Sequence, residues 1–222
     1  MNSELDHLVV VAQTLEQGAA WCQATLGVAP GPGGRHALMG THNRLLRIDG
    51  PGFAQAYLEI IAIDPEAPPP SRARWFGLDD AALQQRLREQ GPQLHHAVLR
   101  STNVDMLRWG LITLGCQPGP LIAAARDTPA GRLAWQILVR DDGAIDLDGH
   151  LPTLIQWQGR HPTEAMPASG VVLRSATLGG VPARLHPLLR LRAGNARLAE
   201  AGPAVQVELD TPRGRVALSS PA

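Results

Sequence analysis

Apolar and polar positions along the chain divide into short alternating runs and longer helical ones, and the first run sets the pattern. Leu5-Asp6-His7-Leu8-Val9-Val10-Val11-Ala12 is apolar and β-branched, which predicts a buried strand. Strand side chains alternate, so His7, Val9 and Val11 share one face and Leu8 and Val10 the other. One face can then cover a helix while the other lines a cavity. Thr14-Leu15-Glu16-Gln17 has the form of a capping box, and a helix runs from it to about Leu26, where Gly27 stops it. After the turn-rich Gly31-Pro32-Gly33-Gly34, short strands are predicted over 35–38 and 43–48, joined by Gly40-Thr41. The run Ala56–Ile63 adds a strand interrupted by one acid, Glu59.

This order of strand, helix and three strands then recurs. Pro65 to Pro70 forms a proline-rich linker, and a polar helix from about Asp79 to Gln90 leads to the second unit. Trp21, Thr25-Leu26-Gly27 and Pro30-Gly31-Pro32 are echoed by Trp109, Thr113-Leu114-Gly115 and Pro118-Gly119-Pro120, always 88 positions later. The same offset carries Thr14 to Thr102, where Thr102-Asn103-Val104-Asp105 resembles another helix start, and His7 to His95. Further strands are predicted at Leu94–Leu99, 132–139 and 153–157. The tail predicts a strand from Val171 to Leu178, an amphipathic helix over about 182–192 and a closing hairpin of 205–209 with 215–218. The expected divisions are a first module over 4–64, a linker and helix over 65–92, a second module over 93–160 and a partial third unit over 168–220.

Composition narrows the function classes. Of the 222 residues, 44% are hydrophobic, enough for a substantial core, and 20 basic residues balance 20 acidic ones. A neutral chain has no field to attract nucleic acid or an anionic membrane. No apolar run approaches the roughly 20 residues that a membrane helix needs. Two cysteines, Cys22 and Cys116, suit free thiols in a reducing compartment, and Met1-Asn2-Ser3-Glu4 lacks a basic segment followed by an apolar one. A cytoplasmic location is therefore expected. The glycine-rich stretches match neither a dinucleotide fingerprint nor a phosphate loop, and there is no Cys-x-x-Cys pair or nucleophile elbow.

Two βαβββ units with a histidine opening each first strand and a polar residue inside each last strand resemble the vicinal oxygen chelate superfamily. Its members include glyoxalase I, fosfomycin-resistance thiol transferases, extradiol dioxygenases and metal-free bleomycin-binding proteins. Leu5-Asp6-His7-Leu8-Val9-Val10, Gly33-Gly34-Arg35-His36, Gly40-Thr41-His42-Asn43-Arg44-Leu45, Tyr57-Leu58-Glu59 and Leu154-Ile155-Gln156-Trp157 look most like its glyoxalase-like domain branch, over about residues 4 to 160. The resemblance implies an α+β fold in which the two modules form a U-shaped mixed sheet. It also implies a metal at the cleft floor, held by one residue from the first and one from the last strand of each module. Carried over, these are His7, Glu59, His95 and Gln156, with His95 preferred to His96 because it keeps the repeat offset and matches a His-x-Ala pattern.

Two histidines and a carboxylate with open positions suit a divalent ion, Fe, Mn, Ni or Zn. Gln156 stands where glyoxalase I has a second glutamate. An amide can coordinate through oxygen but cannot serve as a base, so the catalytic pair Glu59 and Gln156 leaves the base role to Glu59. His36, Asn43, Arg47 and Trp75 are the expected substrate contacts, with Phe76 beside Trp75 in the wall. Bland readings stand next to these: a satisfied core histidine for His7, an ion pair with Arg44, Arg47 or Arg100 for Glu59, and a backbone hydrogen bond for Gln156. The expected activity is that of a metal-dependent lyase, isomerase or dioxygenase on a small substrate with vicinal oxygens, working as a monomer or homodimer. The other class is a metal-free binder of a small ligand.

Overall fold

The computed structural model describes residues 2–192 and 194–221. The first module consists of β1 (Glu4–Val11), α1 (Leu15–Leu26), β2 (Arg35–His36), β3 (Thr41–Arg47) and β4 (Tyr57–Ile63). After the linker and α2 (Ala81–Gln90), the second repeats that order as β5 (Gln93–Arg100), α3 (Val104–Thr113), β6 (Leu121–Thr128), β7 (Gly131–Leu138) and β8 (Thr153–Gln158). The eight strands form one sheet in the order β2-β3-β4-β1-β5-β8-β7-β6. Within each module the first strand runs parallel to the last (β1 with β4, β5 with β8), and the antiparallel pair β1 and β5 joins the modules at the centre. Arg126 on the edge strand β6 hydrogen-bonds Asn43 on β3, so the sheet curves until its far ends meet across a trough.

Strand alternation separates two cores. Leu8, Val10, Leu58, Ile60, Leu99 and Leu154 face α1 and α3 on the convex side. A second sheet covers that side, with order β10-β9-β11-β12 from β9 (Val172–Leu178), β10 (Ala196–Leu198), β11 (Gln206–Thr211) and β12 (Gly214–Ser219). Val9, Val11, Ile61, Val98, Ile137 and Ile155 face the trough. The linker fills part of it: Trp75, Phe76 and Leu78, with Leu83 and Leu87 of α2, pack in the same cluster. Both cysteines are free and buried. No described helix is long and apolar enough to cross a membrane.

Local chemistry explains most boundaries. Thr14 accepts from Gln17 N at 3.2 Å, and Gly27 closes α1 with φ 76°. Asp80 caps α2 through Ala82 N and Leu83 N. β6 escapes a period-two reading because Leu121-Ile122-Ala123-Ala124-Ala125-Arg126 offers little contrast between its faces. The tail helix is shorter than the expected 182–192. α4 covers only His186–Leu189, after a tight turn at Ala183–Leu185, and Arg190 ends it in the left-handed region at φ 43°.

One expected ligand is corrected by this fold. On β8, Ile155 and Trp157 line the trough, so Gln156 between them points to the other side. There its Oε1 accepts from Val104 N at 3.2 Å, at the start of α3, where Asn103 supplies no side-chain cap. Gln156 is thus a long-range helix cap. Replacing it with alanine should cost about 0.5–2 kcal/mol in urea unfolding, the usual loss for a missing cap; unchanged stability would remove that role.

Candidate functional site

A bulge in β1 builds the centre of the site. Leu5 pairs with Leu99 and His7 with Val98, so Asp6 is an extra residue without a partner in the ladder. Consecutive strand residues normally point to opposite faces; here Asp6 Oδ1 lies 2.7 Å from Nδ1 of its neighbour His7. Asp6 is fully buried. Its Oδ2 accepts from Trp157 Nε1 at 2.9 Å and from His161 Nε2 at 3.1 Å, with Arg100 3.9 Å away. The other nitrogen of that ring, Nδ1, lies 2.7 Å from Thr163 Oγ1 and 3.3 Å from Thr163 N. Burial alone would push the Asp6 carboxyl up, but bonds from His161 and His7 and their charges hold it well below the ordinary carboxylate range.

The other end of the His7 ring opens on the trough. Its Nε2 is 3.5 Å from Glu59 Oε2, and Tyr57 stacks on the ring with centroids 4.6 Å apart. Burial drives the His7 pKa down, yet hydrogen bonds and charge from Asp6 and Glu59 outweigh it and raise it to about 9. Glu59 shows the converse: burial raises its pKa, but the hydrogen bond and charge of His7, with an Asn43 bond, lower it to about 2. At neutral pH the chain therefore holds an imidazolium between two carboxylates.

Asn43 organises the neighbouring side chains. Its Nδ2 donates to Glu59 Oε1 at 2.6 Å and to His36 Nε2 at 3.3 Å. Its Oδ1 accepts from Gly34 N at 2.8 Å and from Arg126 Nη1 at 3.1 Å. Glycine is needed at Gly33, where a Cβ would lie 2.0 Å from the backbone oxygen of Asn43, whereas a Cβ on Gly34, 2.1 Å from Arg126 Nη1, would push the guanidinium aside. His36 bonds Thr41 Oγ1 at 3.0 Å, and burial lowers its pKa to about 4, keeping it neutral. These groups, with Trp75, Trp135 and Trp157, enclose an inner chamber of about 30 Å³. Beyond Leu45, Arg126 and Pro162, which line both spaces, lies an outer cavity of about 550 Å³.

Of the residues expected at the site, His7, Glu59, His36, Asn43 and Trp75 come together at the inner chamber. Arg47 lines the outer cavity, its guanidinium held by Asp49 at 2.6 and 3.0 Å. His95 does not join them. β5 carries its own bulge, because Val9 pairs with His96 and Val10 with Leu94, and this leaves His95 outside the ladder. Its Nε2 donates instead to Phe76 O at 2.8 Å, fastening a linker turn in which Phe76 adopts φ 58°. His96 is the member of the pair that shares the trough face with Val98, but it is buried beneath Phe76, bonded to Thr153, and held neutral by burial.

The four-ligand metal set is accordingly not assembled. The carboxylate beside His7 Nε2 is Glu59, while Asp6 occupies the opposite ring nitrogen and the facing module offers Ile155 and Trp157. Among the described residues no group of three or more His, Cys, Asp or Glu could hold a metal. The donor set does not fit a catalytic metal held by three protein ligands. Sequence reasoning missed Asp6, Arg126 and His161. Only Asp6 carried a signal, as a charge inside an apolar strand.

A family model described as "Glyoxalase-like domain" matches residues 5–190. A hypothetical protein from Staphylococcus aureus is similar in structure, with TM-score 0.58 and 14% identity over 98% of this chain and 86% of that one. Methylmalonyl-CoA epimerase from Mycobacterium tuberculosis gives TM-score 0.41 and 17% identity over 73% of this chain and 91% of that one. A Streptomyces coelicolor methylmalonyl-CoA epimerase in complex with 2-nitronate-propionyl-CoA gives 0.42 and 17%, over 71% and 96%. No curated protein matches the chain.

The charge states predict a stability profile. His7, raised in the fold, contributes stability fully below its unfolded value near 6.5 and loses it as pH rises through about 9. His36, lowered in the fold, has the opposite sign, so stability falls as pH drops from about 6.5 toward 4. Melting temperature measured against pH should decline on both limbs, and His36→Gln should flatten the acid one. An acid limb unchanged by that substitution would contradict the assignment.

Proposed function

The chain belongs to the glyoxalase-like domain family, and on that footing we propose that it is an enzyme moving a proton on a small substrate with adjacent oxygens. The observation that carries this reading is the His7 imidazolium facing Glu59 at the inner chamber, with Asp6 behind it. Buried charges are costly, and packing alone does not require them. Charged groups with shifted pKa values in a cleft mark functional sites.

The chemistry follows from what holds each group. A substrate carbonyl oxygen that accepts from His7 Nε2–H meets a full positive charge, fixed in place by Asp6 and in no need of reorganisation. Glu59 at rest, with a pKa near 2, is a weak base. Its low value depends on His7, while burial pushes the other way. When the substrate oxygen takes over the His7 hydrogen bond, Glu59 loses its strongest stabilising partner in a desolvated site and its basicity rises. Glu59 then removes the proton from the carbon beside the carbonyl, the C–H electron pair moves toward oxygen, and His7 stabilises the resulting enolate. Return of the proton to another position or face completes an isomerisation; loss of a leaving group completes a lyase reaction. A dioxygenase would call for a three-ligand metal face, and among the described residues no group of three His, Cys, Asp or Glu assembles one.

A second reading, a metal-free binder, draws support from the walls of the chamber. Trp75, Trp135 and Trp157 suit gripping the end group of a bound ligand as well as excluding water from a reaction. Proton exchange separates the two. In D₂O with α-oxo and α-hydroxy carbonyl compounds, the wild-type protein should exchange the hydrogen beside the carbonyl, read by NMR. Glu59→Gln should slow that exchange by about 10²–10⁴-fold, the usual contribution of a positioned base. Binding without exchange, or equal exchange by the variant, would favour the binder.

A further inference from the structure

The outer cavity has a chemistry of its own. Its walls are mainly apolar, including Val28, Pro32, Leu46, Pro129, Leu133 and Met166, and at about 550 Å³ it is of the size that encloses whole organic ligands. The inner chamber is far too small for more than a head group. Leu45, Arg126 and Pro162 line both spaces, which therefore lie side by side with Arg126 between them.

Charge at the junction is uneven in a way that selects the head. Three arginines line the outer cavity. Arg47 is committed to Asp49, and Arg160 to Glu164 and to Ala130 O. Arg126 lies at the junction and gives one hydrogen bond, to the neutral Asn43 amide. Among the described residues it forms no ion pair within 4.0 Å, although it is half-buried. A guanidinium placed this way has donors left to grip a carboxylate with two parallel bonds. Gly34 leaves room for it, since any Cβ there would displace the guanidinium.

We infer that the ligand is an α-oxo acid with an unbranched apolar chain, its carboxylate on Arg126, its carbonyl oxygen toward His7 and its tail in the outer cavity. The inference deepens the proton-transfer reading by naming the substrate class of that site.

Binding tests it without relying on turnover. Straight-chain α-oxo acids from pyruvate to α-oxodecanoate are titrated by calorimetry, with tryptophan fluorescence as a second readout. Affinity should rise about fourfold for each added methylene until the cavity is full, the effect of burying one such group. Arg126→Gln should weaken the acids about ten- to a hundredfold, as expected for lost hydrogen bonds to a charged group. It should weaken the matching methyl esters, which carry no charge, much less than the acids, with the melting temperature close to wild type. Ala165→Trp, on the outer wall, should abolish the gain with chain length while pyruvate still binds.

A flat response to chain length would overturn the tail site, and equal acid affinity in Arg126→Gln would overturn the head assignment. If the acids bind as described but exchange no hydrogen in D₂O, proton transfer fails and the ligand assignment stands. If exchange occurs only with ligands that show neither chain-length nor Arg126 dependence, the ligand assignment fails alone.

Discussion

The site depends on one buried contact, the Asp6 carboxylate against Nδ1 of His7. A carboxylate with no exposed surface is costly by several kcal/mol unless donors surround it. Asp6 collects those donors from segments far apart in sequence: His7 beside it, Trp157 on β8 and His161 just beyond that strand. Their convergence requires the whole eight-stranded sheet to close correctly. In return, the buried carboxylate keeps His7 protonated, and His7 keeps Glu59 ionised in a chamber whose burial would otherwise neutralise it. The charge state of the chamber is therefore a property of the fold as well as of its lining residues.

The two modules share an architecture but not a chemistry. In the first, the trough face carries His7, Tyr57, Glu59 and Asn43; in the second, it carries Trp135, Ile137, Ile155 and Trp157. The linker accounts for much of this difference. Its residues Trp75 to Leu78 and helix α2 lie in the trough, cover His96 and are fastened by His95. The histidine pair of the second module thus serves packing and anchoring. The duplicated scaffold thus lines this chamber with polar groups from one module and aromatic ones from the other, and Arg126 reaches across from the opposite edge.

How much of this was legible in the sequence follows from what each signal depends on. The repeat, the strand-helix-strand order and the caps at Thr14 and Gly27 depend on local patterns, and the structure has them where those patterns lie. His7 and Glu59 were expected together from the family resemblance, and alternation along β4 and along β1 after Asp6 turns both toward the trough. Alternation fails wherever a strand bulges, because one extra residue changes the phase and leaves no mark in composition. Two bulges did this, turning Asp6 toward His7 and His95 out toward Phe76. Gln156 misled for another reason. A repeat aligned to the family's ligand positions placed it in the trough, whereas its neighbours Ile155 and Trp157 hold that face and its amide caps α3. Arg126 and His161 act through distant contacts, in an alanine-rich edge strand and in a loop, where periodicity is silent.

The protonation state of His7 tests the account most directly. Ring nitrogen chemical shifts of labelled protein, followed from about pH 5 to 10, should show an imidazolium at pH 7 that titrates near 9. In Asp6→Asn the same ring should titrate much closer to the ordinary histidine value of about 6.5. A wild-type ring already neutral at pH 7, or one whose titration ignores the loss of the Asp6 charge, would contradict it.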